Sequence, residues 1–520
     1  MAAPTGPHTV GACDLAATRP HLAATIAPNG QELSKGLERL AGRLFYPATK
    51  PTGFSVPCTW IPHYAYAQGY IGYIFKLVNK TGIAISAARV ALTGLAYTLG
   101  VSRVLPVHYQ APVDRSLGPL PVVIFSHGIA GTRNAYSSIC IELASRGYVV
   151  MALEHSDGSA STARLPRLAP ASSSSSNSAS NPAPASAAAA VGASGNGPAF
   201  SAAASASYDG TADYGSEYVG YGGFGDKPEQ LRKTRHRVAE VNAALQLLRR
   251  IHEGHPEGIR EVPSAVASGL EGQLDLSRTA VVGHSYGGAT AAAAAAMLPD
   301  LKAAICLDPW WDCFEESWPV TSRWAAPNPL LVIGSHDWNT PLAGGRLKCG
   351  GVNQERVLAA AAAGGGGALL VVPKGSSHSS FDDILLLYGK SLMAVLRYVG
   401  MRAQLEPRTA HRVNMFCIRH FLDSHLPQPV SASSGQPQKG APAPASAEAA
   451  AAAAVPTPIR QGDLDAYREE LGELGEIVRV FPGAAASGMT AAGATAAKAT
   501  RSSAEAPAGV EAVPIAAAAQ

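Results

Sequence analysis

The amino-acid sequence predicts an α/β fold with a mainly parallel sheet covered by helices on both faces. Three observations carry the prediction: apolar runs of strand length recur along the chain, segments of helical periodicity alternate with them, and the runs are apolar throughout rather than at every second residue. Strands buried on both faces read in this way, and helical crossovers between them make neighbouring strands parallel.

The first unit is "PVVIFSHG", a β-rich run ending in glycine, then "YSSICIELASRG" with helical spacing, then "YVVMALEH" with strand character again. Next, "KPEQLRKTRHRVAEVNAALQLLRRIHEG" sets Leu231, Val238, Val241, Leu245 and Leu248 on one helical face, and "RTAVVGHS" is the following strand. Further strands are expected in "KAAICLD", "PLLVIGSHD" and "GALLVVPKG". In such sheets ligands bind at the carboxyl ends of the strands, so chemistry is sought there.

With 520 residues, 47% hydrophobic and 15% charged, the chain can bury a large core. A catalytic domain is expected over residues 39–425, after an N-terminal extension at 1–38. Residues of about 168–206 form a Ser/Ala-rich insertion with nothing large and apolar to anchor it. Residues 426–520 read as a linker, an amphipathic helix in "DLDAYREELGELGEIVRVF" and an Ala-rich tail. The formal net charge of +3, with no long basic cluster, argues against a nucleic-acid partner. The seven cysteines are scattered singly, which predicts reduced core thiols and no zinc site.

The N-terminal sequence lacks a basic region followed by an unbroken apolar one, which predicts an intracellular, cytoplasmic protein. The most apolar early stretch, "IGYIFKLVNKTGIAISAARVALTGLAYTLG", is interrupted by Lys76, Lys80 and Arg89 and reads as two amphipathic helices. Their apolar faces either cover the core or rest on a lipid surface as a peripheral contact.

Within "AVVGHSYGGATA", the pattern Gly283-His284-Ser285-Tyr286-Gly287 is a G-x-S-x-G nucleophile elbow, placed where an apolar strand turns into a small-residue helix. That context specifies an α/β-hydrolase fold with Ser285 as nucleophile. The backbone N–H of Tyr286, at the helix N-terminus, is one expected oxyanion donor. The second is the N–H of Ile129, because Gly128 in "FSHGIAGTR" lets the backbone turn inward.

The base is expected to be His378, in a polar loop after the last strong strand and downstream of the nucleophile; His420 falls in a helical pattern and His127 precedes the serine. Asp308 and Asp337 each end a strand, and spacing alone does not decide which is the acid. No metal or cofactor is called for.

Several segments then resemble, in order, the platelet-activating-factor acetylhydrolases of the plasma and intracellular type II group: "GRLFYPA", "TWIP", "FSHGIAGTRNAYSSICIELASRGYVVMALEHSDGSAS", "EQLRKTRHRVAEVNAAL", "VVGHSYGGATA", "ICLDPWWDCF" and "KGSSHSSFDD". The resemblance covers most of residues 40–425. It implies a calcium-independent serine phospholipase A2 that removes acetyl or short, often oxidised, acyl groups from the sn-2 position of phospholipids. It also implies a Ser285, Asp308 and His378 triad, since Leu307-Asp308-Pro309-Trp310 matches the context of the family's acid, with Asp337 the alternative. Tyr286 stands where the family often has Phe, and Pro309-Trp310-Trp311 is bulkier after the acid, which leaves the acyl-length preference open. Of the tryptophans crowded after the acid, Trp310 is the best substrate-pocket residue. The competing functions are a general short-chain carboxylesterase and a non-catalytic α/β-hydrolase scaffold.

Overall fold

A computed structural model describes residues 3–22, 24–27, 30–53, 56–78, 82–168, 215–314, 318–389, 405–426 and 456–483. All but the first residue of the Ser/Ala insertion and most of the C-terminal tail lie outside them. The strands are β1 (Val10–Thr18), β2 (Arg39–Pro47), β3 (His108–Tyr109), β4 (Leu120–Ser126), β5 (Val149–Glu154), β6 (Thr162–Pro166), β7 (Ser216–Gly220), β8 (Leu274–His284), β9 (Ala303–Leu307), β10 (Leu330–Ile333), β11 (Ala368–Pro373) and β12 (Gly475–Phe481). Ten of them form one sheet in the order β12-β11-β10-β9-β8-β4-β5-β2-β1-β3, and β6 with β7 makes a separate antiparallel pair.

The six strands from β5 to β11 in that order are parallel, as the apolar runs predict. Their side chains alternate between two cores: Val122 and Ile124 of β4 face one side, Val123 and Phe125 the other. The first core is covered by helix Lys227–His252, whose Leu231, Val238, Val241, Leu245 and Leu248 are all buried. Asp226 caps that helix by accepting from the Glu229 N–H at 3.2 Å. Helices Ser137–Ala144 and Pro407–His425 cover the second core. Helix Tyr286–Met297 is buried along its whole length, which its run of alanine and glycine permits: small side chains let it pack close to both β8 and helix Lys227–His252.

The sheet extends beyond residues 39–425 at both ends. Strand β1 pairs with β2 over nine residues, from Val10 opposite Pro47 to Thr18 opposite Arg39, so the expected N-terminal extension is part of the fold. Its strand is alanine-rich, which hides β character from a propensity reading. At the other end, "DLDAYREELGELGEIVRVF" is α-helical only over Leu464–Leu471, followed by one 3-10 turn over Gly472–Leu474. Gly472, at φ 48°, ends the helix, and β12 then pairs antiparallel with β11. The 3.6-residue period therefore fails halfway, where the sequence turns β-branched.

The two expected amphipathic helices are present as Tyr64–Val78 and Ile83–Val101. All seven cysteines are buried and unpaired.

A buried charge cluster ties β1 to β2 and to the loop after β4. Asp14 accepts from Arg43 Nε at 2.7 Å and from the Arg133 guanidinium at 3.0 Å. Burial pushes the Asp14 carboxyl up, but Arg133 and Arg43 more than offset this and hold it well below the usual carboxylate range. Asp14→Asn leaves two buried guanidiniums undercompensated and is expected to cost about 3–5 kcal/mol at pH 7 in a denaturant titration. Because the folded-state carboxyl is depressed, its contribution is present above the unfolded value of about 4, so the gap between variant and parent should narrow as pH falls below that.

Candidate active site

The site is built at the carboxyl ends of β4, β8, β9, β10 and β11. Strand β8 ends at His284, and Ser285 takes φ 57° and ψ −121° before helix Tyr286–Met297 begins. A non-glycine residue in this conformation is strained. Its surroundings leave no alternative path: a side chain at Gly283 would strike the Gly287 carbonyl, and one at Gly287 would strike the Ser126 carbonyl. A Cβ at Gly128 would stand 3.0 Å from the Ser285 Cβ, so the loop after β4 lies directly against Ser285.

Asp308 follows β9 and is also left-handed, at φ 40°. Its buried carboxylate accepts from the Ser335 N–H at 2.6 Å through Oδ1 and meets His378 Nδ1 at 2.7 Å through Oδ2. With Nδ1 on the Asp308 carboxylate, Nε2 is the nitrogen of His378 that this pairing leaves free to exchange a proton. The structure thus brings Asp308 rather than Asp337 to the histidine. Asp337 lies on the short helix His336–Asn339 and turns instead to Lys348, at 3.0 and 3.2 Å.

His378 is held from several sides. The Trp338 ring stacks on it with centroids 3.7 Å apart and planes within 7°. His284 lies 4.5 Å away and bonds the His378 carbonyl through Nε2 at 3.0 Å. The direction of these bonds is fixed by the His378 carbonyl, which can only accept: His284 Nε2 carries the proton, Nδ1 of the neutral ring accepts from Tyr136 Oη at 2.7 Å, and Tyr136 Oη accepts from the Gly128 N–H. Burial, with the neighbouring His378, keeps His284 well below the usual histidine range, so it stays neutral. The same loop is fastened by Asp383, which accepts from the Ser138 N–H at 3.1 Å.

The loop carrying Ile129 is a tight turn. The Gly131 N–H donates to the Gly128 carbonyl at 3.1 Å, and Ala130 sits at φ 58° with its N–H on the Ser159 carbonyl. His127 donates from Nδ1 to the Gly128 carbonyl at 2.8 Å and accepts the His155 N–H on Nε2, so both nitrogens are engaged within the fold. Below it, His155 joins Ser126 Oγ at 2.7 Å to the Glu240 carboxylate, all fully buried. Arg237 donates to the His127 carbonyl at 2.7 Å and to Asp157 at 2.9 Å, and its guanidinium lies 4.3 Å over the Tyr286 ring. His420 stacks on Phe416, remote from these residues in the fold's second core.

The tryptophans divide into two groups. Trp311, Trp318 and Trp324 are buried core residues, whereas Trp310 and Trp338 are half-buried at the site. The Trp310 N–H donates to the Ser285 carbonyl at 3.1 Å, and its ring lies 4.9 Å from Phe224 and 6.2 Å from Tyr286.

Sequence reading did not single out Tyr136, Arg237, Glu240, Ser335 or the stacking role of Trp338. Only His284, inside the elbow pattern, and Trp338, among the crowded tryptophans, carried any signal. The acid assignment is open to a direct comparison: Asp308→Asn is expected to lower kcat by about 10⁴-fold by misorienting the imidazole, while Asp337→Asn should change it less than about tenfold. The reverse ranking in steady-state ester hydrolysis would overturn the pairing.

Residues 1–438 match the family described as platelet-activating factor acetylhydrolase, isoform II. A platelet-activating factor acetylhydrolase of Cavia porcellus is 30% identical over 294 residues, covering 56% of this chain and 54% of that one. One from Gallus gallus is 25% identical over 318 residues, covering 59% and 62%. A putative phospholipase A2 of Schizosaccharomyces pombe is 37% identical over 137 residues, 24% of this chain and 26% of its own. The matched region thus spans little more than half the length of the Cavia relative. With the matched segment running through the elbow, the acid and the histidine loop, the chain belongs to the platelet-activating factor acetylhydrolase isoform II family.

Proposed function

We propose that the protein is a serine esterase that removes acetyl or short, including oxidised, acyl groups from the sn-2 position of phospholipids. The observation that carries the reading is the 2.7 Å pairing of His378 with buried Asp308 beside an elbow serine, in a chain of this family. In the proposed mechanism His378 Nε2 takes the Ser285 proton as Oγ attacks the ester carbonyl. The N–H groups of Ile129 and Tyr286 receive the oxyanion, each donor worth about 3 kcal/mol in the transition state. His378 then protonates the departing lyso-lipid oxygen, and in the second half it activates the water that splits the acyl-enzyme to a short carboxylic acid. No step calls for a metal ion or organic cofactor.

The rings of Trp310, Phe224 and Tyr286 stand together next to the nucleophile. An aromatic wall there suits a short acyl chain and sets an upper limit on its length. The physical test is a fluorophosphonate probe with a substrate series. Labelling is expected on the parent and lost in Ser285→Ala, and hydrolysis of phosphatidylcholines should fall steeply as the sn-2 chain lengthens from acetyl. Labelling without phospholipid hydrolysis would leave a general carboxylesterase, and no labelling of folded protein a scaffold.

The proposal extends to a lipid surface as partner. Among the described residues one helix, Ile83–Val101, is long and apolar enough to cross a membrane. It is nevertheless held along one side by protein: Tyr97 packs edge-on against Tyr64, Gly100 rests against Ile61, and Arg89 lies against Gly72. A helix anchored in this way fits the plane of an interface better than a crossing. Ile83 is 92% exposed and Val90 68%, with Leu92, Leu95 and Leu99 also exposed. The neighbouring helix Tyr64–Val78 reaches the active-site loop through Tyr70 Oη and Thr132 Oγ1, 2.8 Å apart. Replacing Leu95 and Leu99 by Glu is expected to abolish sedimentation with phosphatidylcholine vesicles and to cut turnover of vesicle-borne substrate more than tenfold. Hydrolysis of a soluble acetate ester should be unchanged; equal loss on both substrates would count against the surface role.

A further inference from the structure

We infer that Trp338 is a positioning residue for the reaction, stabilising through its ring face the positive charge that His378 acquires when it takes the serine proton. The inference rests on the serine-esterase reading above. Three features of one short segment carry it. First, the indole lies flat on the imidazole, 3.7 Å between centroids and 7° between planes, well inside the distance at which an aromatic face attracts a cation. Second, the backbone that carries Trp338 is fixed: its N–H donates to Ser335 Oγ at 3.1 Å, which caps the helix His336–Asn339. Third, the N–H of the same Ser335 holds Asp308 Oδ1 at 2.6 Å. The turn after β10 therefore fixes the acid through one residue and faces the base through another, three positions on.

The electrostatics of the site make the ring face count. The other charged or titratable groups around the imidazole are few among the described residues. Asp308 sits in the ring plane on Nδ1. His284, with its ring 4.5 Å from that of His378, is kept neutral by burial and by His378 itself, so it supplies no charge. On the turn carrying Trp338, the Asp337 carboxylate is engaged by Lys348, and the N–H of His336 donates to Ser376 Oγ at 3.0 Å. On the histidine's own loop, Asp382 and Asp383 are pushed up to about 7, chiefly by burial. Asp308 thus balances the imidazolium along its edge, and Trp338 is the group that meets its face. A face contact strengthens as charge develops on the ring, so it favours the transition state over the resting enzyme.

The test keeps the shape of the ring and changes its charge distribution. Tryptophans carrying one, two or three ring fluorines, introduced at position 338 alone in the full-length chain, have progressively less negative faces. On a soluble acetate ester, kcat is expected to fall stepwise with fluorine number while KM stays within about twofold. Trp338→Leu should lose about 5- to 30-fold in kcat, and Trp338→Phe should recover most of that. In Trp338→Leu, the acid limb of kcat/KM against pH is also expected to move to lower pH by about half a unit or more, because the protonated base is less stabilised. Asp382 and Asp383 contribute equally to parent and variant, so the difference between their profiles isolates the ring. A flat fluorine series, or a loss confined to KM, overturns the inference by making Trp338 packing or substrate-binding surface. Failure of the serine-esterase reading is distinct: parent protein would then show no Ser285-dependent turnover at all.

Discussion

The left-handed backbone at Ser285 is the constraint on which the site depends. A residue held at φ 57° costs about 1–3 kcal/mol and persists only where its neighbours leave no better choice. Here the choice is removed by close approach. Gly283 and Gly287 touch carbonyl groups where any Cβ would collide, and Gly128 brings the loop after β4 against the serine. The Ser285 N–H is engaged by the Leu307 carbonyl of β9 at 2.9 Å, and its own carbonyl accepts from Gly288 and Trp310. The corner is therefore tied to the strand that leads into Asp308 as well as to the helix behind it.

Two polar networks support that corner from opposite sides, and each joins a different loop to it. On one side, Gly128, Tyr136, His284 and the His378 carbonyl form a directed chain of hydrogen bonds, so the loop after β4 and the loop of His378 are positioned relative to each other by a neutral histidine. On the other, Arg237 reaches the His127 carbonyl and covers Tyr286, while Glu240, His155 and Ser126 brace the end of β4. Buried polar groups are tolerated only when satisfied, and a satisfied network is rigid. Rigidity is what a preorganised oxyanion site requires.

The helix Ile83–Val101 belongs to a different regime. It buries little beyond Thr93 and Gly100, yet the pair of helices it completes is joined to the loop after β4 through Tyr70. Exposed apolar faces of this kind are characteristic of surfaces that meet another molecule or a lipid layer.

The parallel strands, the Lys227–His252 helix and the elbow were legible in the chain because each rests on local physics: unbroken apolar runs, a 3.6-residue period, and glycines flanking a serine at a strand end. Composition likewise announced buried, unpaired cysteines. What the chain could not reveal depends on contacts between distant segments. Alanine-rich β1 and the late strand β12 join the sheet because a neighbouring edge offers hydrogen bonds, which no propensity records. Between Asp308 and Asp337, two aspartates that both end strands, spacing left the choice open and only the family resemblance favoured Asp308; in the folded chain one side chain turns toward His378 and the other toward Lys348. Trp338, Tyr136 and Arg237 acquire their places only when loops from different strands meet at one sheet edge, since the stacking and hydrogen bonds that place them act over a few ångströms in space and leave no period in sequence.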